Sequence, residues 1–368
     1  MLDGFRGLAA VGVVLFHFKS PAYLHSFPLF HRGYLYVDFF FLLSGFVLAH
    51  AYGHRLKSWA DAAPFLVRRI ARLWPLHMAT LGIRLAIELL GWGAYRMGVN
   101  VGRVPFTEDA SPAALVTNVF MVHAWGMHGE NTWNGPSWSI STEFGAYLLF
   151  MVLTLLLAEA PRRAASVIVI LASLGVLAFV APEGIASTFD FGLARCFAGF
   201  FTGTLLHAAW RRIGSLPQAT ATALEVGALL VGAAAVSLPL PSYWSLLTIA
   251  GLACCVLVFA FEQGAVSRAL QRPSLRWLGE RSYSIYLLQG PMFLVWYMSV
   301  KVGGKALGID IGGHDGIKLA VEPRWLNDLA IVGFLAVLLA LSDFTWRRLE
   351  VPAGRALRRR LLPASSSA

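Results

Sequence analysis

Residues 33–52 have the sequence GYLYVDFFFLLSGFVLAHAY, in which Asp38 is the single charged side chain. A helix rises about 1.5 Å per residue, so a run of this length can cross the ~30 Å hydrocarbon core of a bilayer. Comparable apolar blocks recur along the rest of the chain. The stretch therefore predicts a transmembrane helix, and the chain is predicted to be an integral membrane protein.

The composition of the whole chain agrees with this prediction. Of its 368 residues, 57% are hydrophobic and only 14% are charged, whereas soluble domains are about 45–50% apolar and about 25% charged. Apolar blocks separated by charged or Pro/Gly-rich breaks predict an all-α, polytopic transmembrane bundle of about ten spans. The spans are expected near 3–18, 33–52, 73–92, 137–158, 164–182, 189–209, 221–238, 243–262, 282–300 and 328–346. The apolar segment 113–125 is too short to cross and is expected at the interface.

The basic residues set the expected orientation. The formal net charge is +10, but the Lys and Arg residues flank the apolar blocks, which is typical of membrane topology and not of nucleic-acid binding. Most of them fall on one side if both termini are cytoplasmic, so we expect a multi-pass protein of the plasma (inner) membrane with that orientation. Residues 1–347 would form the membrane domain, and residues 348–368 a basic cytoplasmic tail. The longest outer loops would be 93–136 and 301–327.

Charged groups inside spans are costly and need a partner or a function. Arg84 and Glu88 are four residues apart on one helical face, so we expect them to pair with each other. Glu225 has no evident partner and is expected at the interface. No spacing typical of a metal site or of a Gly-rich nucleotide loop is present, so no metal is predicted.

His17, Asp38 and Glu143 are expected at one depth near the outer face. Arg6 and His17 are eleven residues apart on one helical face, which separates them by roughly 16 Å along the axis and puts His17 near the outer end. Asp38 and Glu143 each begin a span from the same side. A histidine oriented by a carboxylate can deprotonate a hydroxyl. The residues alone leave two interpretations open, a catalytic group and a polar cluster that packs helices.

A second basic cluster opens the third span at the opposite face. Arg69 and Arg72 are three residues apart and share a helical face, and Arg68 adjoins them. Guanidinium groups bind phosphates through two parallel hydrogen bonds, so the cluster could hold a phosphorylated ligand. It could equally be an orientation anchor. Trp138 could likewise be an interfacial residue or the wall of a site.

Six segments, in order along nearly the whole chain, resemble the motifs of acyltransferase family 3, membrane proteins that O-acylate polysaccharides, lipopolysaccharide, peptidoglycan and some small molecules. They are LDGFRGLAA (2–10), Arg6 with His17 ten residues between them, VDFFFLLSGF (37–46), RIARLWP (69–75), NGPSWSISTEF (134–144) and LGERSYSIYL (278–287). Gln289 departs from the pattern, because many members have a histidine there. That departure weakens an acid or base role for this position.

The resemblance implies a donor, an acceptor and a set of roles. The donor would be cytoplasmic acyl-coenzyme A, with acetyl the expected group, and the acceptor a hydroxyl of an extracytoplasmic glycan or glycoconjugate. No cofactor would be bound permanently. Arg6, Arg68, Arg69 and Arg72 would bind the donor phosphates, and His17 would be the general base, oriented by Asp38 or Glu143. The walls would include Ser44, Trp138, Ser139, Tyr283 and Tyr286. A transporter or flippase is the alternative, and a non-catalytic membrane partner is a third reading.

Overall fold

The computed structural model describes residues 2–239, 244–308 and 319–362, apart from the side chain of Leu307. Parts of the predicted loop 301–327 and of the predicted tail 348–368 therefore lie outside the described residues. Within those ranges the chain is helical and contains no β-strand. The α-helices are α1 (Asp3–His17), α2 (Pro28–His31), α3 (Tyr36–Tyr52), α4 (Ala62–Arg96), α5 (Pro112–Val119), α6 (Trp138–Leu156), α7 (Glu159–Phe179), α8 (Gly192–Trp210), α9 (Gln218–Ser237), α10 (Leu247–Phe259), α11 (Ala265–Leu270), α12 (Pro273–Glu280), α13 (Ser282–Leu307), α14 (Trp325–Thr345) and α15 (Val351–Leu361).

Each of the ten predicted spans coincides with a helix. Among the described residues, six helical segments are long and apolar enough to cross a membrane: Gly33–Tyr52, Trp59–Arg96, Gly135–Leu156, Glu159–Phe179, Gln218–Ser237 and Trp325–Leu361. The remaining predicted spans correspond to α1, α8, α10 and α13, which are shorter or more polar. The chain has the features of a multi-pass membrane protein, whereas ten crossings and cytoplasmic termini stay predictions.

The centre of the bundle is the packing of α3 against α8. A Cβ atom on Gly45 would collide with the carbonyl oxygen of Phe200, and one on Gly203 would collide with the carbonyl oxygen of Leu42. Small residues let helix backbones approach closely, which is how helices pack in a membrane where burial of apolar surface gives little driving force. The two glycines therefore fix α3 in the middle of the molecule, where its residues can line internal cavities.

The helix α4 begins earlier than the predicted span 73–92. Ser58 and Asp61 form a capping box just before it, and the helix then runs unbroken from Ala62 through Pro75 to Arg96. The capping box satisfies backbone donors that would otherwise lack partners at the start of the helix. As a result Arg68 and its two arginine neighbours lie within the helix, not in a flanking loop.

The C-terminal residues form structure that the prediction of a basic tail did not include. A π-helical segment, Trp346–Glu350, joins α14 to α15, and α15 packs against α4. The Glu350 side chain is buried, accepts a hydrogen bond from Ser284 Oγ (2.7 Å) and forms an ion pair with Arg72. The residues that follow α14 thus contact the helix that carries the basic cluster.

The predicted pairing of Arg84 with Glu88 is wrong. Arg84 forms an ion pair with Asp109 (Nη2 to Oδ2, 2.9 Å), and Glu88 forms one with Arg103 (Oε2 to Nη2, 2.5 Å) and accepts the backbone N–H of Phe106 (2.7 Å). The i, i+4 spacing allows the two residues to pair, but it does not prevent another segment of the chain from supplying a different partner for each. Here the segment after α4 folds back along it and supplies both partners.

The prediction for Glu225 is also wrong, because this residue is buried and well bonded. Its carboxylate accepts the backbone N–H groups of Gly264 (2.9 Å), Val266 (2.9 Å) and Ser267 (3.1 Å), and the hydroxyl of Ser267 (2.5 Å). The N-terminus of a helix carries free N–H donors and a partial positive charge, which favour an anion. Glu225 on α9 therefore caps α11.

Candidate active site

Two cavities lie along the bundle and meet at a shared wall. The arginine cavity, of about 470 Å³, is lined by Arg6, Arg68, Arg69, Arg72, Ser44, Ser139, Glu143, Tyr283 and Tyr286 among others. The histidine cavity, of about 690 Å³, is lined by His17, Trp138, Tyr34, Asn134, Arg195, Tyr286 and Gln289 among others. Val37 and Tyr286 line both cavities, and we call these two residues the partition.

The arginine cavity extends along the axis of α3. Residues from Val37 to Leu48 on that helix line it, and eleven residues of α-helix span about 16 Å. The basic side chains of α1 and α4 contribute to its lining, as does the aromatic ring of Tyr283 from α13. The shape suits an elongated ligand with a negatively charged group among the arginines.

The arginines of this cavity are not electrostatically equivalent. Arg72 forms an ion pair with Glu350, and Arg6 forms one with Asp3 (3.3 Å). The guanidinium of Arg69 instead lies over the rings of Tyr52 (5.1 Å) and Tyr147 (5.9 Å). No carboxylate of the described residues pairs with Arg69, and its buried Nε has no hydrogen-bond partner there. The charge of Arg69 is thus not balanced by a carboxylate among these residues and is available to an anionic ligand.

Glu143 belongs to the arginine cavity. Its Oε1 accepts hydrogen bonds from Ser44 Oγ (2.5 Å) and Tyr147 Oη (2.5 Å). Ser139, Glu143 and Tyr147 follow one another at four-residue spacing, so they share one face of α6 and all line this cavity. The expectation that Glu143 meets His17 is therefore corrected, because the face of α6 that carries Glu143 lines the arginine cavity and His17 lines the other cavity.

Trp138 and Ser139 take opposite sides of the partition because consecutive residues on a helix point about 100° apart. Trp138 lines the histidine cavity, whereas Ser139 lines the arginine cavity and donates a hydrogen bond from Oγ to Tyr286 Oη (2.9 Å). This bond fixes the Tyr286 hydroxyl at the boundary between the two cavities. A reacting group brought to the partition would meet that hydroxyl.

His17 lines the histidine cavity and is held by its own helix. Its Nδ1 lies 2.8 Å from the carbonyl oxygen of Val13. A carbonyl only accepts, so Nδ1 carries the proton, and Nε2 of the neutral ring is then the basic nitrogen. A backbone carbonyl, in place of the expected carboxylate, thus sets the tautomer that a general base requires.

Asp38 does not contact His17, and the expectation that it orients this ring is corrected. Both carboxylate oxygens of Asp38 bind Arg195, at 3.0 Å from Nε and 2.7 Å from Nη2, and both side chains are fully buried. Arg195 also donates to the carbonyl oxygens of Tyr34 (2.8 Å) and Ser187 (3.2 Å). The pair ties α3 to α8 and lines the histidine cavity only through Arg195.

Arg195 also positions aromatic walls, a role that the sequence analysis missed. Its guanidinium carbon lies 5.2 Å from the ring centroid of Trp138 and 5.6 Å from that of Tyr34. The sequence held one signal for this arrangement, since Arg195 is a cation inside a predicted span and requires an anion there. Tyr147 and Glu350 were missed as well. Tyr147 could have been found from its i, i+4 spacing to Glu143.

Beside the charged side chains of Arg84, Asp109 and Arg195, the histidine cavity presents uncharged hydrogen-bonding groups. Asn134 is buried, and its Nδ2 donates to Thr80 Oγ1 (3.1 Å) and to the carbonyl oxygen of Leu287 (3.3 Å). Gln289 is fully buried and donates from Nε2 to the carbonyl oxygen of Tyr286 (2.9 Å). Across the described ranges, no group of three or more His, Cys, Asp or Glu residues could hold a metal ion.

A family model for acyltransferases, described as "Acyltransferase domain", matches residues 1–347. The chain belongs to acyltransferase family 3. The match covers all of the predicted site residues and the whole lining of the histidine cavity, so the acyltransferase class of enzyme follows from family membership.

Several relatives are similar over parts of the chain. "Acyltransferase MdmB" of Streptomyces mycarofaciens is 31% identical over 44% of this chain and 41% of its own length. "Putative peptidoglycan O-acetyltransferase YrhL" of Bacillus subtilis is 24% identical over 80% of this chain and 48% of its own length. "Protein 2 in picA locus" of Rhizobium radiobacter is 33% identical over 39% of this chain and 75% of its own length. The chain thus spans less than half of two of these relatives. No solved structure matches it significantly.

Proposed function

We propose that this acyltransferase, in the plasma (inner) membrane, moves an acetyl group from cytoplasmic acetyl-coenzyme A to a hydroxyl of an extracytoplasmic glycan or glycoconjugate. The observation that carries the proposal is the meeting of two differently equipped cavities at Tyr286. One is lined by arginines and the other by a histidine whose tautomer is set for base catalysis. The name of the Bacillus relative supports an acetyl group and a glycan acceptor.

The donor would occupy the arginine cavity with its thioester at the partition. Its phosphates would lie among Arg6, Arg68, Arg69 and Arg72, because guanidinium groups bind phosphate oxygens in pairs. The cavity follows α3 for about 16 Å, which suits the extended pantetheine arm. Ser44 and Tyr283, which line it, would flank that arm.

The acceptor would occupy the histidine cavity. Nε2 of His17 would remove the proton from the acceptor hydroxyl as its oxygen attacks the thioester carbonyl. The Tyr286 hydroxyl, which accepts a hydrogen bond from Ser139, would donate one to the carbonyl oxygen as negative charge develops there. The carbon–sulfur bond then breaks, the coenzyme A thiolate takes up the proton, and the acetyl ester remains on the acceptor. Trp138 would pack against the sugar.

Sealed vesicles that contain purified protein in one orientation test the proposal. Labelled acetyl-coenzyme A is supplied on one side and soluble oligosaccharides, peptidoglycan fragments among them, on the other. Label should enter the oligosaccharides only when the donor is on the side of α15, with release of free coenzyme A. Vesicles with the His17→Gln variant should be equally tight but unproductive.

Two results would contradict the proposal. The first is transfer when donor and acceptor are both confined to the side opposite α15, which would reverse the assignment of the cavities. The second is movement of an oligosaccharide across the membrane without consumption of the thioester, which would indicate a transporter or flippase.

A further inference from the structure

The C-terminal helix α15 lies close against α4 at one defined point. Pro75 has no N–H, so the carbonyl oxygen of Ala71, four residues earlier, has no partner in the helix. Gly354 of α15 is buried at this place, and a Cβ atom on it would lie only 2.7 Å from that oxygen. Since any larger residue would push the helices apart, the glycine brings α15 into direct contact with the helix of the basic cluster.

The two helices run in opposite directions. Glu350 pairs with Arg72, and Gly354, further along α15, meets Ala71, which is earlier on α4. Arg358 follows Gly354 by one turn on the same face, about 6 Å further along the axis. This displacement brings it to the level of Arg68, at the end of the arginine cavity farthest from the partition.

Arg358 lines the arginine cavity, whereas the neighbouring Arg359 does not. Within 2–239, 244–308 and 319–362, no carboxylate pairs with Arg358. Arg72, by contrast, is already paired with Glu350. A cation that faces a ligand cavity and has no anion of its own among these residues is suited to bind an anionic part of the ligand.

We propose that Arg358 binds the ribose phosphate of acyl-coenzyme A, so that α15 is part of the donor site. The inference rests on the proposed function, which puts the thioester at the partition. From the thioester, the chemical order of the donor is pantetheine, pyrophosphate and then adenosine with its ribose phosphate. The pyrophosphate would reach Arg69 and Arg72, and the ribose phosphate, which is farthest from the thioester, would reach the rim formed by Arg68 and Arg358. Arg358 lies beyond residue 347, where the family match ends.

A contact at this place would make the enzyme selective among thioesters. Coenzyme A carries the ribose phosphate, whereas dephospho-coenzyme A and the phosphopantetheine group of a carrier protein do not. Arg358 would therefore discriminate between acetyl-coenzyme A and donors that have the same pantetheine arm and thioester but lack the ribose phosphate. The discrimination would be expressed in donor affinity and not in the chemical step.

Calorimetric titration of the purified full-length protein tests the proposal with two probes, acetyl-coenzyme A and acetyl-dephospho-coenzyme A. The wild type should bind the first about tenfold more tightly, the scale of one charge-assisted hydrogen bond. Arg358→Ala should weaken acetyl-coenzyme A about tenfold and leave the dephospho probe unchanged. Arg359→Ala is the matched control and should preserve both affinities.

The outcomes separate this inference from the proposed function. Unchanged binding of the dephospho probe by Arg358→Ala also shows that the cavity remains folded. Equal weakening of both probes, or of neither, overturns the assignment of Arg358 while leaving the donor cavity in place. If the wild type binds neither probe, the donor cavity itself is wrong and the proposed function fails with it.

Discussion

Asp38 on α3 and Arg195 on α8 form a fully buried, two-point ion pair, with oxygen–nitrogen distances of 3.0 and 2.7 Å. The pair joins α3 to α8, and Arg195 also holds Tyr34 and Trp138 at the histidine cavity. Asp38 therefore supports the site through the fold, without touching the reacting groups.

Asp38→Asn should destabilise the protein by about 3–5 kcal/mol, because it leaves the Arg195 charge buried without its anion. Thermal unfolding of the purified variant in detergent measures the effect. The double variant Asp38→Leu/Arg195→Met removes both charges and should recover much of the lost stability. An unfolding temperature for Asp38→Asn equal to that of the wild type would show that the pair is not a structural link.

Arg69→Ala should weaken acetyl-coenzyme A binding by about tenfold or more, and Arg72→Ala should weaken it less. Arg69 has no carboxylate partner among the described residues, so its charge is available to the donor, whereas Arg72 is balanced by Glu350. Arg69→Lys should recover part of the affinity, because a point charge cannot form paired hydrogen bonds. Titration calorimetry gives the affinities, and equal losses in the two alanine variants would refute the distinction.

His17→Ala should lower the rate of acetyl transfer by about 10²–10⁴-fold, which is typical for removal of a general base. Membrane insertion, abundance and donor affinity should be unchanged, because His17 lines the histidine cavity and not the proposed donor cavity. Single-turnover transfer of labelled acetyl groups is the measurement. Near-normal turnover of this variant would exclude His17 as the base.

Glu143→Gln should lower the maximal rate about tenfold to a hundredfold while donor affinity stays equal or improves. The carboxylate accepts bonds from both Ser44 and Tyr147, and hydrogen bonds to a charged group contribute about 1.5–3 kcal/mol. Affinity should not fall, because the change removes a negative charge from a cavity proposed to bind phosphates. Steady-state kinetics separate the two effects. Tyr147→Phe, which removes one of the two hydrogen bonds to Glu143, should give a smaller loss of rate. A weaker affinity of Glu143→Gln for acetyl-coenzyme A would contradict the electrostatic argument.

Acidification should destabilise the protein through His123, in the loop between α5 and α6. Burial lowers the pKa of His123 from its ordinary 6.5 to about 3. The folded state therefore excludes a proton that the unfolded chain binds below pH 6.5, so stability is complete above 6.5 and falls as the pH decreases towards 3. At pH 5 the loss is about 2 kcal/mol.

Unfolding temperatures at pH 7.5 and pH 5 measure this contribution. In the wild type, Ser137 Oγ lies 3.1 Å from Nε2 of His123. Glutamine in the variant His123→Gln can still form a hydrogen bond to Ser137, but its side chain does not titrate. The variant should lose less stability than the wild type over this pH interval. An equal loss in both proteins would assign the pH dependence to other groups.

Much of the fold could be predicted because apolar runs give the position of a residue along a helix. That coordinate put Arg6 and His17 at opposite ends of α1 and grouped the basic residues of α4. It could not give the rotation of a helix about its axis. Rotation decides that Glu143 faces Ser44, and packing against α8 decides that Asp38 meets Arg195.

Contacts between segments far apart in the chain could not be predicted from the sequence, for a different reason. Glu350 and Arg72 are 278 residues apart, and their pairing depends on how α15 returns to α4. Nothing in the local pattern of residues 348–368 distinguishes a solvated basic tail from a helix docked at a ligand cavity. Only Gly354, a helix-disfavouring residue inside an amphipathic run, hinted at a close contact.

The partition also has an electrical consequence. With the arginine cavity open to the cytoplasmic face and the histidine cavity open to the outer face, as proposed, the transmembrane potential would fall mainly across the layer that separates them, at Val37 and Tyr286. Moving an elementary charge through such a layer involves about 2.3 kcal/mol per 100 mV. In the proposed reaction the phosphates stay on the cytoplasmic side, while the acetyl group crosses outward and the proton of the acceptor hydroxyl crosses inward to the thiolate, so that no net charge moves. The enzyme would thus transfer acetyl groups through an insulating layer without net electrical work, so the membrane voltage would not shift the equilibrium of the transfer.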